Sequence, residues 1–203
     1  QRDIKQISQG TAQDNLSWQK LEMIKFPAPD IKIQNKIVEI LGTFDDLIEN
    51  NQKRIKILEE AAQRLYKEWF ADLRFPGYEN CKIVDGVPEG WSKAKVTDFL
   101  EVKYGKDHKA LADGNIPVYG SGGVMRYVKP ILYSGESVLI PRKGSLNNIL
   151  LVSGDFWTID TMFFSIPKLE NVAKYTYLFL KGLDMYSFNI GAAVPSMTVK
   201  ILE

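Results

Sequence analysis

One cysteine and one histidine are all that this 203-residue chain holds of the side chains that most often build metal centres and disulfides. Cys81 alone closes no intrachain disulfide and has no cysteine partner for a metal cluster, which fits a reducing compartment. His108 alone builds neither a His-based zinc site nor a Ser-His-Asp arrangement. No apolar run reaches the roughly 18–20 residues of a membrane helix, and no signal peptide is visible; a cytoplasmic location without membrane contact is expected. Net charge is also lacking: 26 Lys+Arg stand against 25 Asp+Glu, so any nucleic-acid contact must come from a local patch. There is no Asn/Asp-Pro-Pro-Tyr/Phe motif of an amino-methyltransferase, no Gly-rich adenosylmethionine loop, no Walker motif and no clustered Asp/Glu-x-Lys of a nuclease. The expectation is a non-enzymatic protein with no cofactor and no metal.

What is present is a hydrophobic fraction of 45% with 25% charged residues, enough for a globular domain plus an extension. The clearest pattern runs from Asp30 to about Phe70. Phe26-Pro27-Ala28-Pro29 cannot be helix interior. Asp30 after it is a good N-cap, because its carboxylate can accept from orphan backbone N–H groups. From there Ile37, Leu41, Phe44, Ile48, Asn51, Ile55, Leu58, Ala62, Leu65 and Trp69 recur in unbroken alternating steps of four and three. That is the heptad of a coiled coil, and the ten residues are the expected helix-pairing seam. A helix of some forty residues spans roughly 60 Å and cannot bury such a seam alone. Asn51, mid-seam, either sets the register of pairing or marks a solvated point. Breakers at Arg74-Phe75-Pro76-Gly77 end the helix near 71–76. Seven Lys/Arg against nine Asp/Glu over 30–72 suit a spacer or protein contact better than a DNA contact.

From about Lys82 to Ile190 short apolar runs alternate with turn signals. Strands are expected at Ala94–Val96, Ile116–Tyr119, Ser137–Pro141, Ile149–Val152 and Met162–Ile166, and short helices at Val96–Leu100 and Val172–Lys181. Pro88-Glu89-Gly90-Trp91 reads as a turn leading into the domain, with Trp91 as a packing residue. The fold class is α+β: a globular domain with a twisted mixed β-sheet and short helices, plus one long coiled-coil helix.

The two ends of the chain echo each other. Gly10-Thr11-Ala12-Gln13, Leu16-Ser17 and Leu21-Glu22 match Gly191-Ala192-Ala193-Val194, Met197-Thr198 and Leu202-Glu203 at a constant offset of 181 positions. Such an echo implies one period of a repeat, with a second Pro-flanked long helix as the missing partner of the first.

These features together resemble the specificity subunits of type I restriction-modification enzymes. The residues that carry the resemblance are Phe26-Pro27-Ala28-Pro29 leading into Gln34-Asn35-Lys36-Ile37-Val38-Glu39-Ile40-Leu41, and the helix end Gln63-Arg64-Leu65-Tyr66-Lys67-Glu68-Trp69-Phe70. Val87-Pro88-Glu89-Gly90-Trp91, Pro117-Val118-Tyr119-Gly120-Ser121-Gly122-Gly123, Pro141-Arg142-Lys143-Gly144-Ser145 and the Gly-x-Ala element at Gly191 follow in the family's order. The resemblance implies two target-recognition domains alternating with two long helices that pair antiparallel as a spacer, each domain reading half of a split DNA site. Residues 1–29 would then be the tail of a preceding recognition domain, 30–72 the conserved long helix, and 73–203 a target-recognition domain, in a fragment of a two-domain subunit or a half-size form. The implied partners are double-stranded DNA, the modification (methyltransferase) subunits and, indirectly, the restriction/translocase subunit; the long helix also allows self-pairing. One departure is that Val194 stands where Gln13 stands in the earlier copy, which removes a polar group there.

On that reading three loops are candidates for DNA contact. In Tyr104-Gly105-Lys106-Asp107-His108-Lys109, Lys106 and Lys109 suit phosphates, Tyr104 adds an aromatic face, and His108 is either a DNA contact or ordinary surface. Tyr119-Gly120-Ser121-Gly122-Gly123 lacks the Gly-Lys-Ser/Thr of a nucleotide loop; it is a tight turn that, at Ser121, Gly122 and Gly123, also permits close backbone approach. In Pro141-Arg142-Lys143-Gly144-Ser145-Leu146-Asn147-Asn148, Arg142 can take guanine bidentately and Asn147 or Asn148 adenine, while Lys143 and Ser145 suit phosphates. An exposed basic hairpin is the plainer reading of the same residues. Asp160-Thr161 is either a turn or the element that positions that loop. The domain is only mildly basic, with 13 Lys/Arg and 11 Asp/Glu over 80–190. A coiled-coil structural protein carrying a module for carbohydrate or protein explains the seam and the charge, but not the Arg-Lys-Gly-Ser loop or the order of motifs.

Overall fold

The computed structural model describes residues 18–201; most of the N-terminal copy of the echo, and with it most of the segment 1–29, lies outside them, as do Leu202 and Glu203. The chain divides into two compact units, Gln1–Ile57 and Leu58–Glu203. A short helix α1 spans Trp18–Glu22, and the long helix α2 spans Ile31–Tyr66. The division between units therefore falls inside α2.

The start of α2 is set by local chemistry. The Asp30 carboxylate accepts from the backbone N–H groups of Lys32 at 2.9 Å and Ile33 at 3.0 Å, as the N-cap reading requires. The Gln34 side chain donates back to the Pro29 carbonyl at 2.7 Å. Asp30→Ala removes both cap bonds and should cost about 1 kcal/mol of helix stability, read as an earlier loss of the helical circular-dichroism signal on heating. Within the first unit the seam residues Ile37, Leu41, Phe44, Ile48 and Ile55 are between 45% and 59% exposed. This apolar stripe has no counterpart within its own helix.

In the second unit the helix ends by widening. Lys67–Ala71 forms a π turn, closed by the Asp72 N–H donating to the Lys67 carbonyl at 2.8 Å. Leu73 at φ 58° then stops it, inside the expected range. The widened turn faces an aromatic cluster: Phe70 meets Tyr175 at 5.0 Å and Trp91 at 5.6 Å, Tyr66 meets Tyr175 at 5.4 Å, and Phe75 stacks on Trp91 at 5.1 Å. Trp91 thus packs between Phe70 and Phe75. Burial, with Tyr175 beside it, pushes the Tyr66 hydroxyl far above its usual range, so it stays neutral. Gln63 donates to the Leu178 carbonyl at 3.0 Å. The domain takes Gln63, Tyr66 and Phe70 from these turns and leaves the seam residues Leu58 and Leu65 67% and 46% exposed.

The strands are β1 (Ile83–Val84), β2 (Val87–Pro88), β3 (Leu100–Tyr104), β4 (Asp113–Gly120), β5 (Gly123–Val128), β6 (Tyr133–Ser134), β7 (Ser137–Pro141), β8 (Leu150–Val152), β9 (Asp155–Thr158) and β10 (Met162–Pro167). α3 is Val96–Phe99 and α4 is Val172–Lys181. β1 and β2 form a small hairpin; the rest divide between two four-stranded sheets, ordered β3-β10-β7-β8 and β5-β4-β9-β6. The α+β class holds, with the strands shared between two sheets rather than gathered in one. Pairing is antiparallel except for β4 with β9, which makes the second sheet mixed.

β7 explains the layering. All five of its residues are buried, so both of its faces are covered. Val138 and Ile140 point into one cluster with Leu100, Phe163, Ala173 and Leu180, the face covered by α4. Leu139, between them, joins Phe156, Met162 and Phe164 in a second cluster, the face covered by the other sheet. The same alternation in β10 sends Phe163 one way and its neighbours the other. Buried Ser137 and Ser165 satisfy each other: the Ser137 hydroxyl donates to the Ser165 carbonyl at 2.7 Å, and the Ser165 hydroxyl accepts from the Val138 N–H at 2.9 Å.

Two expected elements differ. Ala94–Val96 is not a strand: 91–95 is irregular, and Val96 opens α3 after the Asp98 carboxylate accepts the Lys95 N–H at 2.7 Å. The helix expected over Val96–Leu100 stops at Phe99 because Leu100 begins β3, pairing with Pro167. Among the described residues no helix is long and apolar enough to cross a membrane.

Candidate functional site

The loops singled out in the sequence emerge from different strands, and the two sheets bring part of them together. Tyr104 ends β3, where its ring stands edge-on to Phe163 at 5.1 Å. Arg142 follows β7, and its guanidinium lies over the Tyr104 ring, 5.4 Å from the centroid. The β9–β10 connection holds that arginine. The Asp160 carbonyl accepts from the Arg142 guanidinium at 3.2 Å, and the Thr161 carbonyl accepts the backbone N–H groups of Arg142 at 2.8 Å and Lys143 at 3.2 Å. Asp160-Thr161 is both the turn between β9 and β10, closed by Met162 donating to the Ile159 carbonyl at 3.0 Å, and the element that positions the arginine loop.

A segment after α4, outside the three loops proposed for DNA contact, closes the other side. Gly144 donates to the Pro195 carbonyl at 3.0 Å, Met197 donates to the Arg142 carbonyl at 2.8 Å, and Lys143 bridges Ser196 in antiparallel fashion. The segment is folded on itself by Asn189, whose side-chain oxygen accepts from Gly191 at 2.9 Å and Ser196 at 2.8 Å. The Asn-x-Gly spacing is a turn signal, but nothing local in the sequence connects it with Arg142.

Ser121-Gly122 is the two-residue turn between β4 and β5, with Gly120 opposite Gly123. The tight-turn reading is thus observed, and no atom stands within 4 Å of where a Cβ on Gly122 or Gly123 would lie. Its neighbour is the Arg142 loop: Asn148 donates to the Ser121 carbonyl at 2.7 Å. Gly144, at φ 86°, takes a conformation that favours glycine, and a Cβ there would stand 2.9 Å from the Ser121 hydroxyl. Tyr119 turns inward, meeting Phe156 at 6.2 Å, and burial raises its hydroxyl above the usual range. Asn147 is also engaged: its side-chain oxygen accepts the Met185 N–H at 2.8 Å. Ser145 remains exposed at the loop tip.

The 105–111 loop follows a different course. Gly105 and Lys106 donate to the carbonyls of Met162 and Thr158, each at 2.9 Å, and Trp157 donates to the Lys106 carbonyl at 3.0 Å. Arg126 of β5, not foreseen from the sequence, donates to the carbonyls of His108 at 3.4 Å and Leu111 at 3.0 Å and pairs with Asp113. Asp107 accepts the Lys109 N–H at 3.1 Å, which holds its carboxyl below the usual carboxylate range. Among the described residues no hydrogen bond or ion pair joins Lys106, His108 or Lys109 to Arg142 or Lys143.

Some cations of the described residues face internal carboxylates, and others, Lys82, Lys93, Lys129 and Lys181 among them, do not. Lys53, Arg64, Lys67, Arg74, Lys103, Arg126 and Lys174 each face a carboxylate. Among the described residues, Lys106, Lys109, Arg142 and Lys143 form no ion pair within 4.0 Å. A cation without an internal counter-charge is the kind that can neutralise an external anion. A cleft of about 540 Å³ between the end of α2 and α4 lies apart from these loops, lined by Gln63, Tyr66, Phe179 and Leu183 among others.

Residues 1–60 and 88–203 match a family model described as the type I restriction modification DNA specificity domain. The type I restriction enzyme MjaIX specificity subunit of Methanocaldococcus jannaschii is 36% identical over 108 residues, which is 51% of this chain and 25% of that protein. The MjaVIII specificity subunit of the same organism is 29% identical over 108 residues, 52% of this chain and 25% of that protein. The match thus spans about a quarter of the length of these curated relatives. The crystal structure of a type I restriction-modification system S subunit from M. genitalium shares the fold, with a TM-score of 0.54 at 21% identity, over 89% of this chain and 50% of that one.

Proposed function

Because this chain belongs to the type I restriction modification DNA specificity domain family, we propose that it recognises DNA sequence and catalyses no reaction itself. The single observation that carries the reading is Arg142, which faces no internal carboxylate among the described residues and is held over Tyr104 by the Asp160 and Thr161 carbonyls. A guanidinium fixed in this way loses less side-chain entropy on binding, which favours base readout by Arg142. Lys143, Lys106 and Lys109 supply phosphate contacts, and Ser121, Gly122 and Gly123 let the backbone approach the duplex. The seam of α2 pairs with a similar helix, in the same protein or in a second copy, and holds one recognition domain at a set distance from its counterpart. Modification subunits dock on the assembly, and the restriction subunit joins through them.

The test is binding of the full-length protein to a pool of randomised duplex DNA as salt is raised. Affinity should fall steeply with salt, and Lys143→Ala should reduce the slope of log K against log[salt] by about 1. Arg142→Ala should weaken the selected duplexes by about 1–3 kcal/mol, roughly 5- to 150-fold, and relax preference at one base pair. If both variants keep wild-type affinity and base preference, the loop assignment is wrong. Binding that is insensitive to salt would favour a module for carbohydrate or protein.

A further inference from the structure

We propose that Asn148 is a positioning residue: it clamps the β4–β5 turn to the Arg142 loop, so that the two present one rigid recognition surface. This rests on the DNA-recognition reading for its consequence, but not for its mechanism. The amide that the residue type offers for adenine is already used. Its nitrogen donates to the Ser121 carbonyl at 2.7 Å, in a part-buried setting, where an unmade bond is costly. Two further features join the same segments. The left-handed Gly144 lies where any Cβ would press on the Ser121 hydroxyl, and Asn148's own N–H donates to the Ser145 carbonyl at 3.0 Å, closing the loop that carries Arg142.

The β4–β5 ladder closes the turn at Gly120 opposite Gly123, but it does not tie the turn to the Arg142 loop. The position next to Ser121, Gly122, has open space on its Cβ side. The other face of the Arg142 loop is fixed by Thr161, Pro195 and Met197. Asn148 therefore couples the glycine turn of the β4–β5 hairpin to a segment that is already anchored. Neighbouring Asn147 does a parallel job at the other end, accepting from Met185 at the start of the 3-10 turn Met185–Phe188. The two asparagines read in sequence as base contacts are braces of the surface that carries Arg142.

The test has two arms on the full-length protein. In the first, hydrogen exchange of the free protein is compared for wild type, Asn148→Ala and Asn148→Asp; the aspartate keeps the shape but cannot donate. Amides of residues 121–124 should exchange about tenfold faster in both variants, while those of β7 keep their protection. Unchanged exchange at 121–124, or a loss of protection throughout the domain in both variants, overturns the proposal. In the second arm, the same variants select from the randomised duplex pool. A brace flattens preference across the whole half-site, and its effect is not additive with that of Gly122→Ala; loss confined to one base pair means that Asn148 reads a base, and overturns the assignment. If the wild-type protein selects no duplex, the DNA reading fails and the exchange arm alone decides the brace.

Discussion

Phe163→Ala should lower the unfolding free energy by about 3–5 kcal/mol, among the largest single-site losses the domain can show. Phe163 has no exposed surface and lies at the centre of the cluster formed by Leu100, Val138, Ile140, Ala173 and Leu180. The cavity left behind cannot close readily. β10 is hydrogen-bonded to β3 on one side and to β7 on the other, so its backbone cannot move inward. For a unit of this size the loss corresponds to a drop in Tm of roughly 10 °C or more. Urea unfolding followed by tryptophan fluorescence measures it; a loss below about 1 kcal/mol would contradict the packing described. The substitution also reaches the loops. Tyr104 rests on Phe163 and Arg142 rests on Tyr104, so the variant should lose DNA affinity under conditions where it is still folded.

Ile48→Asp should separate folding from assembly. Ile48 is 55% exposed within its own unit, so its loss there should fall within about 0.5 kcal/mol. On the pairing reading the same side chain is enclosed by a facing helix. A carboxylate in that seam, without a partner charge, should then cost about 3–5 kcal/mol, roughly 100- to several-thousand-fold in the association constant. Sedimentation over a concentration series, with the thermal melt beside it, reads both quantities. Lys53→Ala is the control: its ammonium pairs with Glu49 at 2.6 Å on the solvent side and should change neither by more than a few tenths. An Ile48→Asp protein that associates like wild type would mean that the seam is not an interface between copies of the chain.

Several elements were readable residue by residue. Asp30 after two prolines caps α2 as the side-chain chemistry dictates. Ser137–Pro141 and Val172–Lys181 have the expected bounds, the first as a continuous apolar run, the second as a helical stripe ending in glycine. β3, β5 and β9 were not legible. Leu-Glu-Val-Lys-Tyr in β3 carries two charges on its exposed side and continues from a helix without a breaker. Gly-Val-Met-Arg-Tyr-Val in β5 exposes Val124, Met125 and Tyr127, so its pattern does not alternate. Asp-Phe-Trp-Thr in β9 is too short for periodicity to register.

The candidate residues divide in the same way. That Arg142, Lys143 and the glycine turn belong to exposed loops could be read from their types. That Tyr104 supports Arg142, that the Asn147 and Asn148 side chains are engaged in hydrogen bonds within the protein, and that Pro195 and Met197 hold the arginine loop could not. Each of these contacts joins segments far apart in the chain.

The amino-acid sequence alone determined the long helix, its cap, its apolar heptad stripe and the two principal core strands, because each depends on neighbours within one or two turns. Only the tertiary structure decided which loops meet. Strand order is set by how the apolar faces of β7 and β10 are shared between two cores, and that sharing, not any local signal, carries Tyr104, Ser121, Arg142 and Asn148 to one surface.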